Sequence, residues 1–195
     1  MISSALLSTA RPILAALLVA AALAACAMPA ATPTTTDPAF DAPALISRAQ
    51  GALEAGDDTA ALEALNQLLA ADPDNEDALL LRATAHERSR SHTDALADLS
   101  TLLTLAPDNA DAHILRGSIL TTLGRDDEAA VDFQTALRLR PNAATILAMQ
   151  AIAYAQSGKR AAAETDLNRA IQLGLSADEA AQVRNVIDES ADEEP

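Results

Sequence analysis

The sequence predicts an all-α protein: an α-solenoid of about four helix-turn-helix repeats closed by a C-terminal capping helix. Three observations point there. Ala and Leu supply 48 and 29 of the 195 residues, while the aromatics are only Phe40, Phe133 and Tyr154. A core of such small aliphatic side chains suits close-packed helices better than a β-sandwich. Pro73, Pro107 and Pro141 are evenly spaced, and Gly124 and Gly158 are separated by the same interval. Self-similarity at that period marks stacked repeats. The chain is half apolar, which excludes global disorder despite a formal net charge of −15.

That charge also argues against nucleic acid, whose phosphates would repel it. The single Cys excludes an internal disulfide framework and a Cys-based zinc site.

The N-terminal segment reads as an address. Arg11 is the one charged residue of the first twelve, and Ile13 to Ala25 is unbroken apolar sequence. A spanning helix needs about 20 apolar residues, so this shorter run fits the apolar part of a signal peptide, 1–25. It ends in Leu23-Ala24-Ala25-Cys26. This resembles the lipobox of bacterial lipoproteins. The resemblance implies cleavage before Cys26 and lipidation of its thiol, hence a lipid anchor as the only membrane contact. With Ala27 after the Cys, it implies an outer-membrane lipoprotein facing the periplasm. The rival expectation is an ordinary cleavage site around Ala25-Cys26-Ala27 and a soluble secreted protein.

Residues 26–41 follow as a tether rich in Pro, Thr and Ala, without helical or alternating periodicity. Phe40 is its one large apolar residue and is expected to pack on the first helix.

The repeats occupy 42–175, as units 42–75, 76–109, 110–143 and 144–177, the last running into its cap. Small residues recur at Ala49, Ala83, Gly117 and Ala151, and again at Ala61, Ala95, Ala129 and Ala163. One helical turn after the second series come Leu65, Leu99, Phe133 and Leu167. The small positions let paired helices approach closely. A turn Gly can take positive φ, and Pro ends the second helix of a unit. A single unit cannot bury its apolar face, so stacking is obligatory.

These residues resemble the tetratricopeptide repeat (TPR) family, whose units carry a small residue in the first helix, a turn Gly, Ala-x₃-aromatic or Leu in the second, and a closing Pro. Unit 110–143 matches best. Three departures stand out. The first-helix aromatics are mostly replaced, by Leu45, Leu79, His113 and Leu147 and by Ala52, His86, Leu120 and Tyr154. Arg90 stands at a turn-Gly position, and Leu175 stands where Pro is expected.

Ser176-Ala-Asp-Glu179 is a capping-box pattern opening a solvating helix over 176–188. Ala180, Ala181, Val183, Val186 and Ile187 are available for its apolar face. The tail 189–195 is acidic.

No constellation predicts catalysis. The six glycines stand singly, so no phosphate loop is present. His86 and His113 fall on aromatic positions of the family pattern and are expected to pack. Ser89, His92 and Asp94 are too close in sequence to converge as a triad. Asp57-Asp58 and Asp126-Asp127-Glu128 read as helix N-terminal acids rather than calcium ligands. No metal, cofactor or catalytic residue is expected.

The TPR resemblance implies instead that the first helices line a concave groove for a peptide or helix of an envelope protein. The implied groove residues are Ile46, Leu53, Leu80, Leu81, Arg88, Ile114, Leu115, Met149 and Ile152. The function expected is a non-catalytic interaction adaptor serving assembly of envelope machinery, with a structural spacer subunit as the alternative. The oligomeric state stays open.

A polar pattern also repeats. Arg82 precedes Asp98 by the same interval at which Arg116 precedes Asp132. The interval joins a first helix to its antiparallel partner, so both pairs are expected to bridge their hairpins. Gln150 and Asp166 are expected to form a neutral version, while Arg48 has Ala64 at that interval and so lacks the aspartate.

Overall fold

The structure is a computed structural model and describes residues 41–190. The expected leader, Cys26, the tether up to Phe40 and the tail from 191 lie outside the described residues.

Within this range the chain forms four helix hairpins and a final helix. Their first and second helices are α1 (Ala42–Ala55) and α2 (Asp58–Ala71), α3 (Glu76–Arg88) and α4 (His92–Leu105), α5 (Ala110–Thr122) and α6 (Asp126–Leu139), and α7 (Ala144–Gln156) and α8 (Arg160–Gln172). Helix α9 (Ala177–Glu189) closes the array. There is no strand among the described residues.

The helix starts follow from local chemistry. The orphan amides of a first turn need acceptors. Asp41 caps Ala44 N, Asp57 caps Ala60 N, Asn75 caps Ala78 N and Asn109 caps Ala112 N, at 3.0–3.1 Å. Asn75 and Asn109 are one period apart; the next position is Ala143, which has the same extended backbone and no side-chain cap. Ser176 and Glu179 form the complete capping box of α9.

The hairpin turns share one geometry. The amides of Asp57, Ser91, Arg125 and Lys159 donate to the carbonyls of Ala52, His86, Leu120 and Tyr154, all at 2.8 Å. Each closure needs a left-handed residue just before it. Gly124 supplies it at φ +69°, whereas Arg90 is driven to φ +59° without glycine's freedom. The turn at the fourth unit's end differs. Gly174 at φ +97° stops α8, and Leu175 turns inward to join Val183 and Ile187 in the core beneath α9. Packing under the cap has replaced the rigid Pro.

Close approach explains the small residues. Ala49, Ala83, Gly117 and Ala151, and the partner series at 61, 95, 129 and 163, are all buried. Leu65, Leu99, Phe133 and Leu167 lie fully inside, each worth about 1.5–3 kcal/mol of burial. Helix α9 buries Ala180, Val183 and Ile187 against α7 and α8, while Val186 is half-buried and Ala181 faces solvent. No described helix is long and apolar enough to cross a membrane.

Each second helix packs on the first helix of the next unit. Across units, α1 touches α3, α3 touches α5 and α5 touches α7, but among the described residues no second helix touches the next second helix. The array is therefore tighter on its first-helix side, which makes that side the concave one.

Candidate functional site

The concave surface is built from first-helix residues at repeated positions. Ile46, Leu80 and Ile114 share one position of successive units, and Leu81, Leu115 and Met149 share the next. All are half-buried except Met149, which is 37% exposed. Ile114 and Ile152 also pack against the clusters between helices, so only part of each reaches the surface. Leu53 is a correction. It is buried in the first hairpin rather than lining a groove, because its position lies on the face that α1 presents to its neighbours.

Arg88 is likewise committed. Its Nη1 donates to the Leu53 carbonyl at 2.6 Å and its Nε lies 3.0 Å from Asp58 Oδ1. It ties α3 to the first hairpin and leaves no free fork for a partner's carboxylate.

Behind this surface lie polar ties between helices. Arg82 Nε and Nη2 donate to the two carboxylate oxygens of Asp98 at 2.8 and 2.7 Å, and Nη1 donates to Asn66 Oδ1 at 2.9 Å. One guanidinium thus joins α2, α3 and α4. Arg116 makes the same fork onto Asp132, both bonds at 2.7 Å. These charge-assisted forks hold both arginines more strongly protonated than usual. Asp132 is 3% exposed and makes a third hydrogen bond, with His113 Nδ1 at 2.8 Å, while His113 Nε2 lies 3.0 Å from the Pro107 carbonyl.

His113 is thus more than the packing residue expected at its aromatic position. It joins the second unit's closing Pro to the third unit's buried carboxylate. The available signal was its repeat position, which holds leucine in the other units and where a polar ring is conspicuous.

The expected neutral pair is not formed. Gln150 Nε2 donates to the Ala130 carbonyl at 3.1 Å instead of to Asp166. The Gln side chain is shorter than Arg, and a buried backbone acceptor lies within its reach. Asp166 is left half-buried without a hydrogen bond or ion pair among the described residues, and burial raises its pKa above the usual carboxylate range.

Three of the remaining candidates have local structural partners. Ser89 Oγ, at the C-terminal cap of α3, donates to Ala85 O, Asp57 caps α2, and Glu128 is held below its usual pKa by the Arg125 fork. Among the described residues no group of three His, Cys, Asp or Glu side chains could hold a metal ion.

The comparisons agree with this architecture. The family model for the tetratricopeptide repeat matches residues 46–109 and 88–144. No curated protein matches the sequence. Among solved structures, a crystal structure of MamA protein superposes with a TM-score of 0.64 at 20% identity, over 77% of this chain and 86% of that one. The AMB-1 MamA structure gives 0.62 at 28% identity, over 73% and 79%. A tetratricopeptide repeat protein from Parabacteroides merdae gives 0.68 at 21% identity over 77% of this chain, which spans 60% of that protein's length. The matched units are those whose period, turns and small-residue contacts are described above: the chain belongs to the tetratricopeptide repeat family.

Proposed function

We propose that the protein is a non-catalytic adaptor, a lipid-anchored scaffold facing the periplasm that binds a peptide or helix of an envelope protein. The observation that supports the binding role is the first-helix surface. Adjacent first helices touch, so the half-buried apolar side chains at 46, 80, 81, 114, 115 and 149 line one side of the array. An amphipathic helix or extended segment recognises such a row by its own periodic apolar residues. The formal charge of −15 favours a partner of opposite sign for encounter. The anchor rests on the Leu23–Cys26 motif. Several buried acyl chains, at about 0.8 kcal/mol per CH₂, make such attachment durable.

The decisive experiment is crosslinking in the cell envelope from a photoreactive group at Leu115. A defined protein should be captured, and Met149→Lys should abolish capture while the melting temperature holds. Capture that survives Met149→Lys but fails with charge changes on the second helices would replace the adaptor with a spacer. Labelled fatty acid should enter the wild type and not Cys26→Ser; an unlabelled, soluble wild type would remove the anchor.

A further inference from the structure

Two cavities lie one repeat apart on the second-helix side of the array. The first, about 360 Å³, is lined by Ser100, Arg116, Leu120 and Asp132 among others. The second, about 410 Å³, is lined by Gln134, Gln150, Tyr154 and Asp166, the same positions of the following unit. They differ in what meets the aspartate. Asp132 holds the Arg116 guanidinium, just as Asp98 holds that of Arg82. In the second cavity Gln150 turns away to Ala130 O, and the cavity beside Asp166 is open. The chain thus shows twice, in its own structure, which group this carboxylate position accepts.

We propose that the cavity between α6, α7 and α8 is a docking site for an arginine side chain of a protein partner, its guanidinium taking on Asp166 the place that Arg82 and Arg116 take on Asp98 and Asp132.

The lining defines the ligand further. Asp166 supplies one negative charge, and the burial that raises its pKa is relieved by a fork-forming cation. Arg138 and Arg169 also line the cavity and are exposed. Arg138 donates to Thr135 Oγ1, and Arg169 lies 3.5 Å from the Pro141 carbonyl. Their two charges oppose a bare cation and favour an arginine with an acidic residue beside it, whose carboxylate meets them while the guanidinium passes to Asp166. Leu137, Ala162 and the Tyr154 ring suit the arginine methylenes. The site is separate from the concave surface.

The test is an NMR titration of the purified chain with the peptide acetyl-Arg-Glu-amide. Saturable shifts are expected at the amides around Asp166 and Gln150. The citrulline analogue, which keeps the shape and loses the charge, should bind at least about tenfold more weakly. The glutamine analogue, acetyl-Arg-Gln-amide, should also bind more weakly than the parent. Gln150→Arg rebuilds a pair that the fold already contains in two other units; it should melt no lower than the wild type and lose the saturable shifts. Asp166→Asn should lose them too, whereas Met149→Lys on the concave surface should not. Equal binding of the citrulline peptide, undiminished binding by Gln150→Arg, or no saturable shift in the wild type would each overturn the proposal.

Discussion

The Phe133 ring lies where a Cβ on Gly117 would come within 2.9 Å of its Cε1. Real Cβ atoms do not approach that closely, so the two residues exclude each other's larger alternatives. The other units solve the same contact differently, with Ala49 and Leu65, Ala83 and Leu99, and Ala151 and Leu167. Only the third unit has moved the missing methyl of the first helix into the ring of the second. Gly117→Ala should therefore lower stability by about 1–3 kcal/mol through overpacking, despite alanine's better helix propensity. Adding Phe133→Leu should recover a large part of that loss. Chemical denaturation of both variants and the double mutant measures the coupling. Additive effects would mean that the ring can move aside freely.

Asp132 carries the strongest predicted electrostatic effect. It is buried and takes both the Arg116 fork and His113. Removing one partner of such a pair strands charge and costs about 3–5 kcal/mol, far beyond a surface pair. A double-mutant cycle with Arg116→Met and Asp132→Leu should give a coupling energy well above about 1 kcal/mol. Asp98→Leu should strand Arg82 less severely, because Arg82 keeps its bond to Asn66. Equal losses at Asp98 and Asp132 would show that neither the Asn66 bond nor the His113 bridge changes the cost.

The fold was legible because its determinants are local and repeated. Ala83 and Ala95, one on each helix of a hairpin, announce a close approach by their size, and Pro107 announces the unit's end. The repeated interval from Arg82 to Asp98 and from Arg116 to Asp132 likewise places each pair on facing helix surfaces. What sequence did not carry was competition for partners. Arg88 was readable as a groove cation, but in the preceding hairpin the Leu53 carbonyl takes one of its donors and Asp58 pairs with its charge. Gln150 was readable as a partner of Asp166, but the backbone of Ala130 takes its amide. Backbone acceptors have no sequence signature, so a side chain that pairs with one looks unassigned.

Two positions retain local strain or an unmet need. Arg90 occupies φ +59° in a turn where the third unit has Gly124. A non-glycine residue there costs about 1 kcal/mol or more. Arg90→Gly should raise stability by several tenths to about 1 kcal/mol, less the entropy that glycine adds to the unfolded chain. An unchanged or lowered denaturation midpoint would mean the Arg90 side chain contributes contacts that offset its backbone.

Ala143 has φ −86° and ψ 98°, close to the capping Asn109 at −75° and 98°. Ala143→Asn should let its side chain accept from the amide two or three residues on, adding about 1 kcal/mol. The residue is half-buried, so the gain shrinks if the amide's other end is left dry. A raised melting temperature and slower amide exchange at Ile146 are the expected readouts; faster exchange there would contradict the cap.

Asp166→Asn should stabilise the protein at neutral pH while abolishing the proposed arginine site. Burial raises the folded-state pKa of Asp166 above its ordinary value of 3.8, with only a partial offset from Arg169. The sign follows from linkage. Below 3.8 the carboxyl is protonated in both folded and unfolded chains, and its burial carries no charge penalty. As pH rises through 3.8 the unfolded chain loses its proton first, so folding becomes less favourable until the folded group ionises as well. The penalty then stays constant to neutral pH. Asparagine never carries it. The melting temperature of Asp166→Asn should therefore exceed that of the wild type at pH 7, and the difference should shrink as pH falls toward 3.8. The same comparison made at pH 7 in the Gln150→Arg background should reverse sign, because Asp166 there gains a guanidinium and its removal strands the new cation. A difference that is independent of pH, or that keeps its sign in the Gln150→Arg background, would show that the carboxylate's charge is not what the fourth unit bears.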